Sequence, residues 1–363
     1  MPIMIRGIFN TWSVNYNLVI ECLPTIIIIN ISILMYFSII FNTEKIKDVL
    51  SFIKNDHNYY MNRPENTILQ YYAAQGSKIG FYYVCYMYIL FFAYVLLPTV
   101  SLVIGEIVSS NHSESKSFPV VLDYGVDMEQ YFYHLFIPVY TSMLMVPNVV
   151  ISYDNTYMLY VQHICALFAI VSYKLKTVHI LDANSLIDLK NDHLFEKSSN
   201  IESLTIKEKE IFRELVLCIK EHQNAIKYSD LVESLFAKSI LAQLFGNVIC
   251  LSIAGVETVL NLDNTGDVMR FGPVAVAQVI HIFVLCLPGQ RLLNHCEEMH
   301  AAACETMWYI LPKNCLNLYK FVLARSLIFN KITAFKLAVM SMETFLVIIQ
   351  TAMSYFTVLL SLT

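Results

Sequence analysis

The chain has 363 residues, of which 56% are hydrophobic and only 15% charged, with a formal net charge of −5 and a mean hydropathy of +0.54. Soluble domains carry about 25% charged residues, so this composition excludes an ordinary soluble globular domain. The slightly acidic balance argues against a nucleic-acid partner.

Taken in chain order, the first 17 residues are mixed and show no charged head, apolar core and cleavage site of a signal peptide. Five later stretches carry no charged side chain at all: 23–41, 79–104, 131–152, 155–173 and 271–290. Two more, 239–259 and 337–363, carry one acid each, Glu257 and Glu343. A charge at the bilayer centre costs about 2.5–3.5 kcal/mol on insertion scales, so apolar runs of about 20 residues read as membrane spans. Residues 131–173 would make a helix about 65 Å long, twice the hydrocarbon thickness. They form either a hairpin of two spans or one span with a long extension.

The loop charges choose between these. Lys and Arg number five in 42–78, one in 105–130, nine in 174–233, one in 261–270 and six in 291–336. Positive residues collect in cytoplasmic loops, so 42–78, 174–233 and 291–336 lie inside. Loops 105–130 and 261–270 and the carboxyl end lie outside. A hairpin would put the one-positive and nine-positive loops on the same side, so one crossing is expected there, with Asp154 near its inner half. Six crossings follow: 20–41, 79–104, 131–153, 237–260, 271–290 and 337–361. The sequon Asn111-His112-Ser113 falls in an outside loop, where Asn111 is a glycosylation candidate. A second sequon, Asn30-Ile31-Ser32, lies within a span and should be silent.

Residues 206–230 are amphipathic, with Ile211, Leu215, Ile219 and Ile226 at helical spacing between charged residues. Residues 291–327 read as further helix, interrupted at Leu311-Pro312. These segments are either helical extensions packing on one another or an oligomerisation platform below the membrane. The nine cysteines show no CxxC pair and no metal-type spacing, and packing thiols are expected.

Enzyme chemistry finds no support. There is no GxGxxG, Walker loop, HExxH or GxSxG, and no cofactor is implied. His295 and His300 point about 140° apart on a helix, poor geometry for co-ligands. His163 and His281 read as packed, hydrogen-bonded residues. Asp154 and Glu343 are acids in or near the membrane. Such residues either mark a polar pathway or are structural.

On the last span Thr351, Tyr355, Val358 and Leu362 recur at a 4-3-4 spacing, within about 60° of one face. The stripe either faces lipid and neighbouring helices or lines a narrow pore able to close by dewetting.

Several motifs, in order, resemble the insect odorant receptor family. They are Ile332-Thr333-Ala334, Met340 to Phe345 and Ser354 to Leu359 at the end, and Leu287-Pro288-Gly289-Gln290-Arg291-Leu292-Leu293 at the inner end of a span. Trp308-Tyr309 before Leu311-Pro312, and Val161 to Ile170 after Asp154, fit the same pattern. The resemblance runs from about Leu18 and is strongest in the last 80 residues. It has the character of a ligand-selective, tuning subunit of hymenopteran type.

This resemblance implies an all-α, polytopic helical membrane protein of insect odorant receptor type. Six spans are visible, and the family's first span is missing, with residues 1–17 in its place. It implies a ligand-binding bundle (18–173 and 233–290), a cytosolic helical anchor (174–232 and 291–332) and a pore-lining last span (333–363). The implied activity is an odorant-gated, non-selective cation channel in the plasma membrane of olfactory sensory neurons. The implied partners are a small volatile odorant, olfactory co-receptor subunits in a heterotetramer, and membrane lipid.

Carried onto matching positions, the constriction falls on Val358, with Leu362 one turn beyond and Thr351 and Tyr355 facing the same pore. The odorant pocket maps by region onto Phe92, Tyr94, Tyr133, Tyr140, Met143 and Phe271. The alternatives are a gustatory receptor and a G-protein-coupled receptor. The first would carry Thr-Tyr and then Gln-Phe in its last span, where this chain has Ser354-Tyr355 and no Gln-Phe. The second lacks its Asp-Arg-Tyr and Asn-Pro-x-x-Tyr motifs here.

Overall fold

The computed structural model describes residues 16–108, 128–191, 197–262 and 265–362. The helices in chain order are α1 (Tyr16–Phe41), α2 (Thr43–Tyr60), α3 (Asn66–Val108), α4 (Met128–Asn191), α5 (Lys197–Leu260), α6 (Thr265–Glu305), α7 (Lys313–Ser326) and α8 (Met342–Leu362). A single 3-10 turn, Trp308–Ile310, separates α6 from α7, at the interruption expected near Leu311-Pro312. Among the described residues five stretches are long and apolar enough to cross a membrane: Cys22–Phe41, Met143–Thr177, Glu208–Leu260, Phe271–Glu305 and Met342–Ser361. The remaining expected span, 79–104, lies within the unbroken helix α3.

Helix α4 is continuous over 64 residues, about 96 Å at 1.5 Å per residue. A helix cannot reverse direction without a turn, so the hairpin alternative for 131–173 is excluded. Helix α5 is equally long and joins the amphipathic segment to the following span without a break. Of the most apolar stretch of α4, 72% is buried, against 17% for α1 and 11% for α8. Helix α4 is therefore the core of the bundle, and α8 is the least covered of these three stretches.

Packing of α4 on α5 shows how the sequence specifies the core. Tyr153, Tyr157 and Tyr160 stand at helical spacing on one face of α4. They surround the Phe236 ring of α5 with centroid distances of 5.1, 5.4 and 6.1 Å, within the range of favourable aromatic pairs. Nearer the basic end, Lys174 of α4 is buried between Glu221 of α5 at 2.5 Å and Glu65 of the α2–α3 turn at 3.4 Å. Its ammonium also lies over the Tyr60 ring, 5.8 Å from the centroid. Burial and the neighbouring Glu221 push the Tyr60 hydroxyl well above its ordinary value. His163 of α4 meets Asp56 of α2 at 2.9 Å, so it is a packed, hydrogen-bonded residue. His295 pairs with Glu298 at 2.9 Å and His300 with Ser326 at 2.8 Å. These two histidines thus have separate partners, as their spacing on the helix predicts.

The last segment departs from the sequence expectation in one place. Residues 337–341 do not begin the final helix; a short hairpin precedes it. Thr333–Ala334 and Ala338–Val339 pair antiparallel, Thr333 with Val339 and Ala334 with Ala338. Phe335 and Lys336 occupy the two central positions of the turn at φ 52° and 61°. Leu337 N–H closes the turn onto Ala334 O at 3.0 Å. Two successive positive φ values suit a tight hairpin turn that follows the strand twist. Neither residue is the Gly or Asn that normally marks one. Ser341 then caps α8, its Oγ accepting from Thr344 N–H at 3.2 Å. Glu343 is exposed in the first helical turn, where an acid is favoured by the helix dipole. It is a helix-end acid.

Candidate ligand pocket and pore helix

Helix α8 docks on the bundle by one face. Ala352 is 1% exposed, and its carbonyl accepts from Ser252 Oγ of α5 at 3.1 Å. Phe345 meets Phe283 of α6 edge-on at 5.8 Å. The Phe356 ring lies over Gly255 of α5, where even a Cβ would meet it at 3.0 Å. The stripe named from sequence lies about 100° round the helix from this docked face. Tyr355 and Val358 are 57% and 54% exposed, and Thr351 is exposed as well; Leu362 is within α8 but its side chain lies outside the described residues. The hydroxyls near this stripe are satisfied locally: Thr351 donates to Val347 O at 2.7 Å, Ser354 to Gln350 O at 2.9 Å and Ser361 to Val358 O at 2.7 Å. The single chain thus leaves uncovered a helix face that tolerates either lipid or water.

The start of α8 is tied to α6 through consecutive residues. A Cβ on Gly289 would lie 2.2 Å from Met340 O and 2.6 Å from Met340 Cβ, so only glycine permits this approach of backbone to backbone. Gln290 Oε1 accepts from Met342 N–H at 3.0 Å, and its Nε2 donates to Asn294 Oδ1 at 2.8 Å. Arg291 donates to Gln75 Oε1 of α3. The Pro-Gly-Gln motif, read from sequence only through its resemblance, therefore has a physical task at the junction of α3, α6 and α8.

A buried polar cluster joins four helices in the bundle interior. Asp154 of α4, 1% exposed, accepts from Tyr83 Oη of α3 at 2.6 Å and meets His281 Nε2 of α6 at 3.1 Å. His281 Nδ1 lies 3.2 Å from Asn247 Nδ2 of α5. With a proton on Nε2 the imidazole donates to the carboxylate, while Nδ1 faces the Asn247 side-chain amide, 3.2 Å from Nδ2 and 3.3 Å from Oδ1. Sequence reasoning named Asp154 and His281 but missed Tyr83 and Asn247. Their signal was present as single polar groups within apolar runs. Their partners lie 71 and 34 residues away in the chain.

The expected pocket residues are placed unevenly. Phe92 is 50% exposed and stacked 6.3 Å from Tyr88, whose hydroxyl donates to Asn148 Oδ1 of α4 at 2.7 Å. Tyr94 and Met143 are half-buried, and Phe271, at the start of the apolar part of α6, is 4% exposed. Tyr133 and Tyr140 lie on α4, but their side chains are outside the described residues, as is Asn111. A cavity of about 270 Å³ opens elsewhere, between the end of α1, the start of α2, α4 and α5. Ser38, Asn42, Tyr153, Thr156 and Phe236 are among its lining residues, and none of Phe92, Tyr94, Met143 and Phe271, the pocket residues whose side chains are described, is. Among the described residues no group of three or more His, Cys, Asp or Glu could hold a metal ion.

Long apolar helices around a buried core, with two of them sparsely covered, define a polytopic helical membrane protein. The sequence profile described as 7tm odorant receptor matches residues 15–353, and the chain belongs to this family. Odorant receptor 43b of Drosophila melanogaster is 28% identical over 105 residues, covering 28% of this chain and 25% of that protein. Odorant receptor 13a of the same fly is 26% identical over 155 residues, covering 39% of this chain and 37% of that protein. The chain thus spans about a quarter to just over a third of these curated relatives. Among solved structures, the olfactory receptor OR5 of Machilis hrabei in complex with eugenol is similar with a TM-score of 0.70. It shares 14% identity and covers 99% of this chain and 86% of that one. OR5 described without eugenol is similar with a TM-score of 0.68 at 14% identity, covering 98% of this chain and 84% of that one. At that identity the likeness shows the shared fold.

Proposed function

We propose that this chain is the odorant-binding subunit of a ligand-gated, non-selective cation channel formed with the olfactory co-receptor. Its setting is the plasma membrane of olfactory sensory neurons, where it serves detection of smell. The observation that carries the reading is α8, docked by one face while Thr351, Tyr355 and Val358 stay uncovered. One such helix encloses nothing. Several around an axis enclose a pore with its narrowest ring at Val358 and Leu362, which closes by dewetting. The basic loops 42–78, 174–233 and 291–336 face the cytosol, and the helices of 174–232 and 291–332 form the anchor.

In this reading a small volatile odorant binds among the outer parts of α1, α3, α4 and α6, against Phe92, Tyr94, Tyr133, Tyr140, Met143 and Phe271. Burial of its apolar surface, at about 25 cal/mol per Å², supplies most of the binding. The ligand opens the channel only to the extent that it fits the open state better than the closed one. The test is ion current in cells expressing the chain with the co-receptor, against a panel of volatiles that includes eugenol. Val358→Lys is expected to alter ion selectivity and conductance. Odour-evoked current unchanged in both would refute the pore assignment.

A further inference from the structure

Resting on the channel reading, we propose that Gly289 and Gln290 form the joint through which movement of α6 reaches the pore helix, with Gln290 the positioning residue for the start of α8. The geometry is that of a folded lever. Phe271 and Gly289 are 18 residues apart on one continuous helix, about 27 Å. From Met342 to Val358 the pore helix runs 16 residues, about 24 Å. Whatever displaces α6 at the Phe271 end reaches α8 at the Phe283–Phe345 ring contact and, most closely, at Gly289.

Two features suit the joint to that task. At Gly289 the contact is with Met340 main-chain atoms, with no room for a Cβ, so no flexible side chain absorbs a displacement. Gln290 holds Met342 N–H, one of the first amides of α8, which have no partner within their own helix. The bond from Gln290 Nε2 to Asn294 fixes which end of the amide faces α8. Arg291, the next residue, is bonded to Gln75 of α3. Farther along, α8 is held by α5 instead, at Ser252 and Gly255. The pore helix is thus gripped by α6 at its start and by α5 along its length, and relative movement of α5 and α6 bends or tilts it.

The experiment compares wild type, Gln290→Met and Gln290→Glu, each co-expressed with the co-receptor, with surface density, odour-evoked current and reversal potential measured. Gln290→Met keeps the length of the side chain but removes the acceptor. It is expected to lower the odour-evoked open-to-closed ratio about 2- to 13-fold, the Boltzmann factor of one net hydrogen bond, without moving the reversal potential. Gln290→Glu keeps the acceptor for Met342 N–H but loses the donor to Asn294, and is expected to lose less than Gln290→Met. Wild-type gating by Gln290→Met at equal surface density would overturn the proposal, as would a loss in Gln290→Glu as large as that in Gln290→Met. If Gln290→Met does not reach the surface, Gln290→Asn, too short to reach Met342, carries the same two outcomes. Absence of odour-evoked current from wild type would overturn the channel reading itself, and this proposal with it. Normal wild-type current with insensitive Gln290 variants would overturn the joint alone.

Discussion

Replacing Asp154 by Ala removes the acceptor that two buried donors share. The Tyr83 hydroxyl and the His281 N–H, at 2.6 and 3.1 Å from Asp154 Oδ2, would both be orphaned. In a water-soluble core each buried unpaired group costs about 1–3 kcal/mol, which sums to about 2–6 kcal/mol. Within a bilayer the separated helices also find partners, and measured interhelical bonds average about 0.6 and reach about 1.7 kcal/mol. The membrane values govern here, because the cluster joins helices that would separate in lipid. The expected cost is therefore about 1–3 kcal/mol. Asp154→Asn keeps one carbonyl acceptor and should cost less than half as much. The assay is the thermal midpoint of detergent-solubilised protein, together with surface density. An Asp154→Ala variant that melts with wild type, at wild-type surface density, would refute the claim that this cluster holds the four helices together.

Two further predictions follow from other sites. Lys174→Met leaves Glu65 and Glu221 facing one another without their shared cation, and breaking a buried ion pair from one side costs about 3–5 kcal/mol. A severe fall in melting temperature is expected, partly restored by adding Glu221→Gln and absent from a purely superficial ion pair. Phe92 and Phe271 should separate in their effects, being 50% and 4% exposed. Phe92→Ala is expected to shift the odorant concentration giving half-maximal current while leaving surface density unchanged. Phe271→Ala should shift that concentration too and, because Phe271 is buried, should also lower the melting temperature; equal behaviour of the two in both assays would contradict this separation.

The spans were legible because the bilayer demands something simple, runs of about 20 residues with almost no charge, and the chain supplies them from 23–41 to 337–363 with at most one acid each. The full length of α4 and α5 was less so. Hydropathy changes where each helix leaves its apolar stretch, but the backbone hydrogen bonding does not, so a 64-residue helix reads as separate pieces. The hairpin at 333–339 was hidden because Phe335 and Lys336 take positive φ without a glycine or asparagine to announce it. The Asp154 cluster was half legible: a lone acid in an apolar run is conspicuous, but its partners sit on three other helices. At the joint between α6 and α8, Gly289 and Gln290 were recognisable as a motif. Their reason, a missing Cβ against Met340 and a cap for Met342, exists only once the two helices are brought together. The 4-3-4 stripe was visible from spacing alone, and the docked face at Ala352 adds which way the rest of α8 points.

The most direct test of the central claim, that this uncovered stripe lines a pore, is a cysteine-accessibility scan of α8 in receptors assembled with the co-receptor. Cysteines introduced at Thr351, Tyr355, Val358 and Leu362 should react with a small hydrophilic thiol reagent during odorant application and reduce the current, while one at Ala352, buried against Ser252, should not. Block at Ala352 with silence at all four stripe positions would contradict the account.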